Sequence, residues 1–187
     1  MEPLAHQLEY LSDVWLKVAE ETLSALVAQS DDLAKFVISE SLTESPDHLG
    51  WPENKAVWSA HYDGQSITVE RAFIATADWT RQGVYQAALV AGQTIGMNVP
   101  DVVTAAQRET DHWFGEGAVT EMWRTKDEQI LRLVGNFRDH MARRTVENPD
   151  LAHRANALGL GGHIRELFDQ GYTVVAVSYT HLPSPRD

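Results

Sequence analysis

The feature that most constrains this chain is an apolar stripe near its N-terminus. Over residues 3–29, Leu4, Leu8, Leu11, Trp15, Val18 and Leu26, with Thr22 between them, recur at intervals of three and four. That spacing places them on one face of an α-helix. Pro3 suits a first turn, and Glu9, Asp13, Lys17, Glu20 and Glu21 supply a solvated opposite side. A second stripe, Val119, Met122, Ile130, Val134, Phe137 and Met141, predicts another long helix over residues 118–146. Its end carries Arg138, His140, Arg143 and Arg144, cations that complement a helix C-terminus. Two stripes of this length need covering, which predicts helix-on-helix packing.

The segments between them are shorter. Ser30-Asp31-Asp32 reads as the N-cap of a small helix with Leu33, Phe36 and Val37 inward. Residues 43–54, with two prolines and a glycine, read as a loop. Residues 56–69 admit two readings. One is a hairpin about Asp63-Gly64; the other is a helix capped by Ser66 and running from Thr68 through Glu70, Phe73, Ala77 and Arg81. The helical spacing beyond Ser66 favours the second. Val84–Ala91 reads as a close-packed central helix, and Asp101–Phe114 as another. Residues 1–150 are therefore expected to form a mainly α, bundle-like domain. Residues 151–177 look different: a short helix, a joint at Gly159, Gly161 and Gly162, a further turn of helix, then the β-branched run Tyr172–Val177. Such a helix–strand unit opens a β-rich domain. The polar segment 178–187, SYTHLPSPRD, is expected to be a non-native, adapter-derived tail. The strand at 172–177 then lacks a partner, so the chain reads as the N-terminal piece of a longer protein.

Charge and composition exclude several functions. Lys+Arg is 15 against Asp+Glu 27, a net charge of -12, which argues against nucleic acid and anionic membrane surfaces as partners. There are no cysteines, so disulfides, Cys-ligated zinc and a thiol nucleophile are ruled out. No basic and apolar leader opens the sequence, and no run of 18 apolar residues occurs, so a cytoplasmic location is expected.

Two constellations could hold a metal. His61-Tyr62-Asp63 has the His-x-Asp spacing of a two-histidine, one-carboxylate iron site, with its bland alternative a solvated turn. Glu109-x-x-His112 has the spacing of the inward pair in di-iron helical bundles, although no second Glu-x-x-His occurs. The six tryptophans, at positions 15, 51, 58, 79, 113 and 123, read as core, with a ligand groove as the alternative.

Residues 155–175, ANALGLGGHIRELFDQGYTVV, resemble the opening of phytanoyl-CoA dioxygenase-like proteins, with Leu167, Phe168, Gly171, Tyr172, Val174 and Val175 carrying the match. The resemblance implies that this helix–strand unit leads into a double-stranded β-helix, and that the parent protein is an Fe(II)- and 2-oxoglutarate-dependent oxygenase acting on a small molecule. It also implies that the iron ligands and the arginine for 2-oxoglutarate lie downstream of this strand. No catalytic or cofactor-binding residue is therefore assigned, and the piece itself is expected to be inactive. The alternatives are a non-enzymatic α-helical binding or dimerisation module, a homodimer included, and a helical bundle with a metal site near Glu109 and His112.

Overall fold

The computed structural model describes residues 8–94 and 114–146. The core is a five-stranded mixed sheet with helices over one face. The sheet is made of β2 (Phe36–Thr43), β3 (Ala56–Tyr62), β4 (Ile67–Glu70), β5 (Trp79–Val84) and β6 (Val119–Trp123), after a two-residue β1 (Leu8–Glu9). Among the described residues three α-helices accompany it: α1 (Asp13–Ala28), α2 (Tyr85–Thr94) and α3 (Glu128–Ala142). A short β7 (Thr145–Val146) pairs in parallel with β1. The order across the sheet is β4-β3-β2-β5-β6; β2 pairs with β5 in parallel, and every other pairing is antiparallel.

This corrects the mainly α expectation: the fold is mixed α/β, with about 29% strand against 38% helix. Both long stripes do contain helices, but shorter ones. The first helix starts only at Asp13, where the Ser12 hydroxyl accepts from the Trp15 amide. Its buried face is Trp15, Leu16, Ala19, Leu23 and Val27, one residue out of phase with most of the expected stripe. Residues 119–123 are a strand rather than the start of a helix, and α3 begins after Asp127, which caps the Gln129 and Ile130 amides. Its stripe of Ile130, Val134, Phe137 and Met141 is buried as expected.

Two further elements differ. The short helix after Ser30 is absent: Asp32 takes a left-handed turn (φ 54°), and residues 36–43 form the central strand. Residues 56–70 adopt the hairpin and not the helix, with β3 and β4 paired from Ser59↔Glu70 to Tyr62↔Ile67. Residues 71–78 then cross the face of the sheet away from the helices. There the Ile74 amide donates to the Ser39 hydroxyl at 3.0 Å. The close approach of β6 to β5 requires Gly83, at φ 152°; a Cβ there would stand 2.1 Å from the Ala118 carbonyl oxygen.

The helix-covered face packs Phe36, Ile38, Leu42, Trp58, Ala60 and Trp79 against α1 and α3 in one core. Trp15 of α1 meets Trp58 edge-on at 5.4 Å, and Phe137 of α3 lies 6.3 Å from the same ring. Residues 1–7, the expected helix at 101–114 except its last residue, and the expected units at 151–177 and 178–187 lie outside the described residues.

Candidate functional site

On a strand, alternate residues share a face. The helix-covered phase of β2 reads Phe36, Ile38, Glu40, Leu42; that of β5 reads Trp79, Arg81, Gly83; that of β6 reads Val119, Glu121, Trp123. Each strand thus places one charged residue in an otherwise apolar or small row. The register sets them side by side, with Arg81 opposite both Glu40 and Glu121. The row alternates in sign.

Its geometry is tight. Arg81 Nε donates to Glu40 Oε2 at 3.0 Å, and Arg81 Nη2 donates to the Tyr10 hydroxyl at 2.6 Å. The same Tyr10 hydroxyl donates to Glu40 Oε2 at 2.5 Å. Tyr10, Glu40 and Arg81 are 2%, 3% and 4% exposed, so water cannot substitute for these partners and the groups must satisfy one another. From α3, Arg138 donates through both terminal nitrogens to the two oxygens of Glu121. The indole of Trp79 serves both cations, with the Arg81 guanidinium 5.6 Å and the Arg138 guanidinium 4.7 Å from its ring centre.

Tyr10 is held from behind. Its carbonyl accepts from the Tyr85 hydroxyl at 2.6 Å. The next residue, Leu11, is buried in a left-handed turn at φ 59°, and its carbonyl accepts from the Trp51 indole at 3.1 Å. A bulky side chain in that conformation persists only where its surroundings hold it. The turn aims the phenol at Glu40.

Burial and neighbouring charge fix the protonation states. Desolvation drives the Tyr10 pKa well above its ordinary value. Burial works against the Arg81 charge, but Glu40 foremost, then Tyr10 and Glu121, outweigh it and raise the guanidinium pKa. Burial would raise Glu121, yet Arg138 and Arg81 hold it below the usual carboxylate range. Arg138 is lowered, chiefly by burial, with Glu121 opposing that effect.

Beside this row lies a partly open cavity of about 30 Å³. Tyr10, Glu40, Arg81 and Arg138 form its polar wall, and Trp15, Leu89, Phe137 and Met141 are prominent in its apolar one. That volume is about one water molecule's share of the liquid.

The residues singled out from the sequence sit elsewhere. His61 and Asp63 lie at the end of β3 and in the turn after it. Asp63 is committed to that turn: its Oδ1 accepts from the Gln65 and Ser66 amides, both at 2.8 Å, and these bonds depress its pKa. His61 Nε2 is 2.9 Å from the Ser59 hydroxyl and 3.9 Å from Glu70 Oε2. Both neighbours share one ring nitrogen, which is not the arrangement of a nucleophile–base–acid relay, and Ser59 is fully buried. Among the described residues no group of three or more His, Asp and Glu is placed to hold a metal. Glu109 and His112 lie outside the described residues. Of the tryptophans, 15, 51, 58 and 79 are core, Trp123 is partly exposed, and Trp15 also lines the cavity.

Reading from sequence missed Tyr10, Glu40, Arg81, Glu121 and Arg138 as a group. A signal was present in Phe36-Val-Ile-Ser-Glu-Ser-Leu-Thr43, where Glu40 occupies an apolar position of a two-residue period. No family model, no curated protein and no solved structure matches the chain. Among the described residues, no helix is long and apolar enough to cross a membrane.

Proposed function

We propose that this domain is a non-catalytic binding module that receives the polar end of a small molecule in the cavity beside Arg81. The observation that carries this reading is the convergence of Tyr10, from the turn before α1, with Glu40, Arg81 and Arg138, from three separate elements, on one cavity with apolar opposite walls. A few convergent polar groups in an apolar recess is the usual composition of a small-molecule site. Stability alone is a poor reason to keep such a row, since apolar residues of similar size often do as well as a buried ion pair. Binding fits better than acid–base catalysis, which works best with a group titrating near the working pH. The upward shifts of Tyr10 and Arg81 keep both protonated there.

The test is a titration of the protein with a library of small polar molecules, followed by two-dimensional NMR. The reading expects saturable shifts at the Trp15 indole N–H and the Leu89 and Met141 amides, lost in an Ala142→Leu variant that fills the cavity. Silence at these signals across the library would sink it.

A separate proposal concerns the parent protein. The likeness of residues 155–175 to phytanoyl-CoA dioxygenase-like proteins supports an Fe(II)- and 2-oxoglutarate-dependent oxygenase, with this domain ahead of its core. Those residues lie outside the described ones. Reading the gene beyond Val177 for a His-x-Asp pair and a distal His tests it.

A further inference from the structure

The two margins of the sheet are finished differently. β4 is short, lies under α1, buries Ile67 and leaves only Thr68 and Glu70 exposed. At the opposite margin, β6 pairs with β5 alone among the described residues. It contains no proline and no lysine, the residues that usually keep such an edge from pairing again. Every residue from Thr120 to Trp123 is exposed. Of the large apolar side chains exposed among the described residues, two stand here, Met122 at 54% and Trp123 at 37%. The main-chain groups of β6 alternate. The Arg124 amide donates to the Asp78 carbonyl at 2.7 Å, and the Val84 amide to the Ala118 carbonyl at 2.8 Å. Bonded pairs alternate along an antiparallel ladder, so Thr120 and Met122 direct their groups to β5. Val119, Glu121 and Trp123 present theirs on the open side.

We propose that a second copy of the chain docks on this edge, antiparallel, with a two-fold axis at Met122 that joins the two sheets into one. The outward groups all lie at odd positions, so matching them requires the axis to pass at a residue and not between two. Chemistry selects which residue. Centred on Glu121, two carboxylates stand directly opposite, which destabilises the pair. Centred on Thr120, Met122 and Trp123 fall against Ala118 and Gly117, outside the strand. Centred on Met122, each exposed thioether meets its own copy, and Glu121 exchanges main-chain bonds with the partner's Trp123. The carboxylate set beside that indole is already balanced by Arg138. In this register the strand is complementary to itself, which favours a second copy over an unrelated peptide.

The test uses the full chain. Light scattering during size exclusion should show a dimer at high micromolar concentration. Met122→Lys sets two ammonium groups at the axis and should weaken the dimer at least about tenfold. Met122 is exposed, so that variant should keep the circular dichroism spectrum of the wild type. The sequence has no cysteine, so a single introduced one reports on the axis. Oxidised glutathione should link Met122→Cys into a covalent dimer. Thr120→Cys should stay unlinked, because its copies then lie roughly 13 Å apart along the ladder, beyond a disulfide's reach of about 7 Å. A monomer at every concentration overturns the inference, and so does a dimer that Met122→Lys leaves intact. Faster linking of Thr120→Cys than of Met122→Cys moves the axis and overturns it too, as do open-ended assemblies in place of a dimer.

Discussion

The two faces of the central sheet handle polar residues in opposite ways. On the helix-covered face, Glu40 and Arg81 are buried and Glu121 stands at the more open end of the row, all three paired with one another or with Tyr10 and Arg138. On the other face, at neighbouring positions of the same strands, stand Ser39, Ser59 and Thr80, all buried. Ser39 is satisfied by main chain, donating to the Trp58 carbonyl at 2.8 Å and accepting from the Ile74 amide of the crossing segment. Ser59 pairs with the His61 ring at 2.9 Å, and Thr80 accepts from Arg124 at 3.2 Å. Small neutral groups can be satisfied locally by backbone. Charges cannot, because their desolvation cost is several times larger and only an opposite charge offsets it. The covered face is therefore an interdependent network, and the other is a set of separate hydrogen bonds.

The contrast can be broken most directly at Arg81. Arg81→Met strands the Glu40 carboxylate, so urea unfolding should show a loss of about 3–5 kcal/mol. Adding Glu40→Leu should restore a large part of it, because no charge then remains unpaired at that position. Additive losses from the two substitutions would show that the row is not a network.

Gly83→Ala comes next. The added Cβ meets the Ala118 carbonyl oxygen at 2.1 Å in a backbone conformation unfavourable to side chains, so a loss of about 1–3 kcal/mol is expected. Hydrogen exchange should locate it at the β5–β6 pairing and leave β2–β3 protected. Uniform loss of protection would instead make β6 integral to the whole sheet.

On the opposite face, Ser39→Ala removes one hydroxyl between two main-chain groups. It should cost about 1 kcal/mol, and this loss should add to that of Arg81→Met. Strong coupling between the two would erase the distinction between the faces.

The smallest effect is in acid. Glu121 has a folded-state pKa below its ordinary value, so its contribution to stability is fully present above the unfolded carboxylate pKa of about 4.3. It is lost as pH falls through the lowered value. The melting temperature of Glu121→Gln should accordingly depend less on pH below about 4.3 than that of the wild type. Parallel curves would remove Glu121 from the network.

Much of the helical layer was legible in the residues themselves. Phe137 and Met141 lie on the buried side of α3 as their spacing required, Trp15 is on that of α1, and Tyr85–Thr94 is helical where a close-packed helix was expected. The sheet was not. Glu40 broke the apolar phase of residues 36–43, which let Leu33, Phe36 and Val37 pass for a helical stripe. Residues 67–77 satisfied both periods, so the Asp63-Gly64 turn lost to a helix that does not form. A helix closes its hydrogen bonds four residues away, and its caps and apolar face are written in the same short segment. A strand closes its bonds on another strand. Nothing near Ile38 names Trp79 as its parallel neighbour, 41 residues on, and nothing near Arg81 names Glu40, Glu121 and Tyr10 as its partners. Local spacing pointed to the three described helices, and also to two, after Ser30 and after Ser66, that do not form. Only the long-range pairing of strands, which sets register and therefore which charges meet in the dark of the core, decided that it has a site.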